Sequence, residues 1–180
     1  MYNKISLKIT MILILAATLT VPSSVLQFSH AQGDIENTIL NTHNQERANV
    51  QVPALSWSNS LAADAQQYAD HLVSLGLSPQ DKVPHSEGTG QGENLAWGPS
   101  NSFTTDELAQ DWYAEKSNFQ PGHIMSYDDF AEGVPMIGHY TQIVWEDTTE
   151  VGCAEASSDS TEYLVCRYSP PGNYIGQTPF

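Results

Sequence analysis

The chain has 180 residues and carries 21 acidic against 6 basic side chains, a formal net charge of −15. That excess of negative charge repels nucleic acid and anionic membrane surfaces, and excludes both as natural partners. A cationic partner is compatible with it, and so is an acidic surface that serves only solubility.

Residues 1–31 read as a secretory signal peptide. Lys4 and Lys8 supply a positive start, Met11 to Ala17 is almost wholly apolar, and Leu19 and Val21 extend that run. Ser29-His30-Ala31 places small residues where a signal peptidase reads. The segment is too short and too polar downstream for a membrane span, although an uncleaved anchor is the alternative. The expected product is secreted, starts near Gln32 and keeps 149 residues, with no stable membrane span. Losing Lys4 and Lys8 leaves four basic residues against 21 acids, a net charge of −17. A chain of this size forms one domain and buries roughly 70% of its unfolded surface. The expected domain is 32–180, with a core over about 37–169 and a tail at 170–180.

Ile35, Ile39, Leu40 and Val50 recur at near-helical spacing, which predicts a helix over 34–49. A second helix is predicted over 58–75. Leu61, Ala65, Tyr68, Leu72 and Leu75 form its apolar stripe, Ser58 or Ser60 caps its start, and Gly76 closes it. Residues 76–92 are rich in Gly, Pro, Ser and Asp and read as a loop. A third helix opens at Thr104, where Thr104-Thr105-Asp106-Glu107 fits a capping box ahead of Leu108 and Trp112. Residues 117–138 hold Pro121, Gly122, Gly133, Pro135 and Gly138 and read as a long irregular segment.

The end of the chain reads as a β-hairpin. Val151 to Ala154 and Tyr163 to Tyr168 flank the turn-prone Ser157-Ser158-Asp159-Ser160. Cys153 and Cys166 are the only cysteines, and in an exported chain they are expected to pair. Facing strands bring Cα atoms about 4.5–5.5 Å apart, within disulfide reach. No Asn-x-Ser/Thr sequon occurs. Helices followed by strands predict an α+β fold.

Several side chains carry candidate chemistry. Leu108, Trp112 and Glu115 share one helical face, so Glu115 either finds a polar partner or reaches water at the stripe edge. Glu93 follows Gly88-Thr89-Gly90-Gln91-Gly92. This is no dinucleotide loop, because the third glycine position falls on Glu93 and no strand precedes it. Glu93 is therefore expected in a backbone turn, and neither a nucleotide nor an organic cofactor is expected. His85 lies in the same loop. His43, His71 and His123, with Trp57, Trp97, Trp112 and Trp145, are given core or surface roles.

Six segments read together: His43-Asn44-Gln45-Glu46-Arg47, His85-Ser86, Gly92-Glu93-Asn94-Leu95-Ala96, Trp112-Tyr113-Ala114-Glu115, Gly138-His139-Tyr140-Thr141-Gln142-Ile143-Val144-Trp145 and Tyr168-Ser169-Pro170-Pro171-Gly172-Asn173-Tyr174. In this order they resemble the CAP superfamily of cysteine-rich secretory proteins, venom allergens and plant pathogenesis-related proteins. The resemblance runs from about Asn37 to Phe180. It implies a three-layer α-β-α sandwich with a small antiparallel sheet, and a cleft where His85, Glu93, Glu115 and His139 converge.

Two imidazoles suit a weak Zn²⁺ site, so His85 and His139 are the candidate metal ligands. Two imidazoles are fewer than the three protein ligands usual at catalytic zinc, which favours a structural polar cluster or a weak metal site in a binding or interaction module over an enzyme. The rival is a metal-dependent peptidase with Glu93 and Glu115 as its catalytic carboxylates. Some members bind sterol or lipid through the region matching 117–138, which makes Phe119, Ile124 and Tyr127 candidate ligand contacts. An extracellular protein is the other candidate partner. Residues 170–180 resemble a C-terminal peptide that plant members release as a signal. Arg167 and Phe180 depart from that pattern.

Overall fold

The computed structural model describes residues 23–131 and 133–180. The expected signal segment lies outside the described residues as far as residue 22. From Ser23 it is continuous with helix α1, Ser23–Asn49. The helix starts earlier than the predicted residue 34, and the sequence holds no proline across it to break the backbone ladder.

The remaining elements are β1 (Ser56–Trp57), α2 (Asn59–Ser74), β2 (Gly92–Pro99), α3 (Thr105–Ala114), α4 (Gly138–Ile143), β3 (Glu150–Ser157) and β4 (Thr161–Ser169). Short 3₁₀ turns occupy Glu115–Ser117 and Tyr127–Phe130. The sheet order is β1-β3-β4-β2, with β1 parallel to β3 and the other pairs antiparallel.

Alternation along β4 divides the core. Leu164, Cys166 and Tyr168 join a cluster with Ile39 of α1, Trp112 of α3 and Ile143 of α4. Tyr163 and Val165 face the other way, onto Ala65, Ala69 and Leu72 of α2. The result is the expected three-layer sandwich. Close contact on the α2 side needs Gly152, because a Cβ there would lie 2.3 Å from the backbone nitrogen of Ala62.

The apolar stripe of α2 is buried at Leu61, Ala65 and Leu72. Leu75 departs from the prediction and is exposed, since it lies past the last helical residue. Ser58 takes the N-cap position without a capping bond. Gly76 closes the helix at φ +64°, where a side chain would be strained. The capping box of α3 forms as predicted: the Glu107 N–H donates to Thr104 Oγ1, and the Thr104 N–H donates to Glu107 Oε2.

The hairpin places Cys153 directly opposite Cys166, and the two are joined. Arg47 is fully buried and, among the described residues, forms no ion pair with a carboxylate. Its guanidinium donates to the carbonyls of Pro53, Ile143, Trp145 and Thr148, tying α1 to the chain between α4 and β3.

Candidate functional site

Glu93 is not in a turn, as expected, but in β2, directly opposite Arg167 of β4. Its strand character comes from this pairing, because Gly-Glu-Asn-Leu-Ala carries no β-branched residue. Glu93 accepts four contacts. His85 Nδ1 lies 2.6 Å from Oε1, the Ser86 N–H 3.0 Å from Oε1, the Ser86 hydroxyl 2.7 Å from Oε2, and Arg167 Nη2 3.0 Å from Oε2. Burial opposes ionisation of Glu93. The bonds from His85 and Ser86 and the Arg167 charge outweigh it and hold the carboxyl below its ordinary value.

Arg167, named from sequence only as a departure from the C-terminal peptide pattern, belongs to this cluster. It is buried, donates through Nη1 to Ser86 Oγ at 2.7 Å, and lies 5.1 Å above the Tyr68 ring. The available signal was an arginine on the same strand face as Tyr163 and Val165, where only a paired charge is tolerated. A cavity of about 510 Å³ opens beside it, bounded by Tyr68, Ser86, Thr89 and Gln91.

Glu115 resolves the two readings left open for it: it is buried, and finds polar partners instead of water. It sits just past α3, where it receives the first turn of α4. The backbone N–H groups of His139 and Tyr140 donate to Oε2 at 2.8 and 3.0 Å, and His139 Nδ1 lies 2.6 Å from Oε1. These are among the N–H groups that a helix start leaves unpaired, so Glu115 both orients His139 and holds α4 in place. Trp112 stacks on His139 with ring centroids 5.9 Å apart.

The four predicted residues thus form two His–Glu pairs of the same design. In each, the carboxylate takes Nδ1 and leaves Nε2 without a hydrogen-bond partner among the described residues. His85 is the open member, its side chain 58% exposed against 17% for His139. Asn94, next to Glu93, links the two sides: its side chain donates to the His139 carbonyl at 3.2 Å and to the Tyr168 hydroxyl at 3.1 Å. The Tyr168 hydroxyl lies 2.8 Å from His43 Nε2, and His43 Nδ1 lies 3.0 Å from the Tyr113 hydroxyl. Burial, with help from the Arg47 charge, drives the His43 pKa down to about 3, so His43 is neutral. Among the described residues, no group of three His, Cys, Asp or Glu is spaced as a metal cluster.

The candidate ligand contacts separate. Phe119 is in the core, whereas Ile124 and Tyr127 are 60% and 81% exposed. Phe119 fills space between Tyr140 and Phe180. His123 binds Asp129 at 2.9 Å, and His71 is on the surface. The tail is held by backbone bonds: the Met125 N–H donates to the Gln177 carbonyl, the Gly176 N–H to the Met125 carbonyl, and the Glu146 N–H to the Pro179 carbonyl.

Comparison with known proteins agrees with this architecture. The family model of the cysteine-rich secretory proteins, CAP, matches residues 40–168. Pathogenesis-related protein 1C of Nicotiana tabacum is 36% identical over 167 residues, 92% of this chain and 92% of the relative. Golgi-associated plant pathogenesis-related protein 1 of Homo sapiens is 36% identical over 151 residues, 82% of this chain and 90% of the relative. The crystal structure of NaASP2 with Zn²⁺ superposes with a TM-score of 0.65 at 22% identity, over 81% of this chain and 84% of that one. At that identity the likeness is one of fold.

Proposed function

This chain belongs to the cysteine-rich secretory protein family, and from that premise we propose that it is a secreted interaction module whose His/Glu cleft takes a divalent cation. The observation that carries the reading is the repeated bond of 2.6 Å from a glutamate to Nδ1, once at His85 and once at His139. A carboxylate on Nδ1 fixes the tautomer and turns the basic Nε2 outward, the arrangement of a metal-ligating histidine. His85 and His139 would hold the ion, and neutral imidazoles suit Zn²⁺. When bound, the ion supplies a positive Lewis-acidic centre in an otherwise acidic protein.

The state of the carboxylates favours binding over turnover. Glu93 and Glu115 already accept bonds on both oxygens, so they suit positioning better than proton abstraction. The metal-dependent peptidase remains the rival, and two imidazoles are fewer than the three protein ligands usual at catalytic zinc. Secretion rests on the composition of residues 1–31. Among the described residues no helix is long and apolar enough to cross a membrane. The bonded tail favours an intact domain over a precursor that sheds residues 170–180.

Calorimetric titration with Zn²⁺ tests the reading. Wild type should bind, and binding should weaken in acid because a protonated imidazole cannot ligate. The His85→Ala/His139→Ala variant should lose the site. Equal affinity in both would place the ion on the acidic surface and end this reading.

A second reading, an apolar ligand such as a sterol or lipid, is favoured by the exposed Ile124, Tyr127, Phe130 and Met136 on one irregular segment. Replacing Ile124 and Tyr127 by serine should reduce binding to sterol-containing vesicles. Unchanged vesicle binding would remove this reading.

A further inference from the structure

Strand β2 is an edge of the sheet, and its hydrogen-bond phase decides what that edge offers. The Ser100 N–H donates to the Ser160 carbonyl at 3.1 Å, just past the pair Gly98↔Glu162. In an antiparallel ladder the bonded pairs alternate, so Gly98, Ala96 and Asn94 face β4. Glu93, Leu95 and Trp97 must direct their backbone groups outward. An independent bond agrees: Trp112 Nε1 of α3 donates to the Leu95 carbonyl at 3.1 Å from that side. Among the described residues, no hydrogen bond reaches the N–H of Leu95 or either backbone group of Trp97. Unpaired edge groups are templates for another strand.

Beside this edge runs a groove of about 320 Å³. Its apolar wall includes Phe103, Leu108, Trp112 and Met136, and it ends at His139. Glu107 and Asp111 of α3 lie along it, and no lysine or arginine lines it. An apolar floor, an acidic wall and the open Leu95 N–H and Trp97 backbone select one kind of occupant. We propose that the groove binds an extended peptide of alternating apolar and basic residues, which pairs with β2 as an added strand. This rests on the interaction-module reading and names its partner class. Leu95 to Trp97 offer a docking length of about 10 Å. Backbone pairing supplies affinity, while the pocket and the acids choose the side chains.

The test uses the secreted protein, labelled with ¹⁵N, and a capped heptapeptide alternating lysine and valine. Binding should shift the Leu95 and Trp97 amide signals and protect both from exchange. N-methylating one alternate set of peptide nitrogens should weaken binding about fivefold for each bond lost, while methylating the other set leaves it unchanged. Asp111→Lys should weaken binding, and salt should narrow the difference. The proposal is overturned if neither amide responds at saturating peptide, or if both methylated sets bind equally weakly. It is also overturned if the amides are protected without peptide in a concentration-dependent way, since a second copy then holds the edge. A Zn²⁺ titration of the same sample separates the readings. Zinc binding with silent amides removes only the groove proposal, and peptide pairing without zinc binding removes only the metal reading.

Discussion

Glu115 holds His139 at both ends: Oε1 lies 2.6 Å from the ring Nδ1, and Oε2 accepts the backbone N–H of the same residue at 2.8 Å. One carboxylate therefore sets the position of α4 and the orientation of its imidazole. In Glu115→Gln the amide N–H₂ would face donors that need an acceptor. The variant should lose about 1–3 kcal/mol of stability in urea unfolding, the cost of an unsatisfied buried group. Zn²⁺ affinity should fall about 10–100-fold, as when a supporting carboxylate is removed. Undiminished affinity would separate Glu115 from the metal site. If the purified wild type cleaves peptides in a metal-dependent way and Glu115→Gln does not, the peptidase reading replaces the binding one.

Glu93 should make the fold acid-sensitive. Its folded pKa is lowered by bonds from His85 and Ser86 and by the Arg167 charge, against the opposing effect of burial. The unfolded chain thus binds the proton more tightly, so the stabilisation is present above the ordinary value of 4.5 and is lost as pH falls through the folded pKa. Urea midpoints taken from pH 6 down to pH 3 should fall less steeply in Glu93→Gln than in wild type. Parallel curves would contradict the assignment.

His43 acts in a higher pH window. Buried and neutral, with a pKa of about 3 against 6.5 when free, it favours the folded state fully above 6.5. From there down to about 3 the unfolded chain gains a proton that the folded chain refuses, and stability falls by an amount on the order of a few kcal/mol. The His43 ring signals should not titrate between pH 7 and pH 4 in the folded protein. A titration midpoint near 6 would show that the ring is not sealed.

The Cys153–Cys166 bridge should resist labelling and contribute stability. Both cysteines are fully buried, and the bridge spans a sequence separation of 13. Native protein should show no free thiol. Replacing both cysteines by alanine should cost about 3 kcal/mol by the loop-entropy argument. Two reactive thiols in the native protein would sink the assignment.

The C-terminal tail should not be dispensable. Deleting residues 170–180 removes the Met125–Gln177, Gly176–Met125 and Glu146–Pro179 backbone bonds and takes Phe180 from Phe119. The truncated protein should have a markedly lower melting temperature, and mass spectrometry of the full-length protein recovered from expressing cells and their medium should find the tail intact. A stable truncated domain and a free peptide in the medium would favour the signalling-precursor reading.

The sequence by itself determined the parts that rest on local rules. The α2 stripe, the Thr104/Glu107 capping box, the stop at Gly76 and the hairpin with facing cysteines all follow from contacts within a few residues or across one turn. The four His and Glu residues were legible only as motifs in order, and their pairing as His85 with Glu93 and His139 with Glu115 needed the folded chain. Tertiary structure alone decided the rest. The segment Gly92–Pro99 is a strand because β4 supplies its partners, not because its residues prefer extension. Arg167 is buried because Glu93 lies opposite it, 74 positions away in sequence. Phe119 went to the core while Ile124 and Tyr127 stayed outside, a division that composition cannot make. The physical reason is the same in each case: a backbone ladder, a buried ion pair and a filled core space belong to pairs of distant segments, and neither segment carries the information alone.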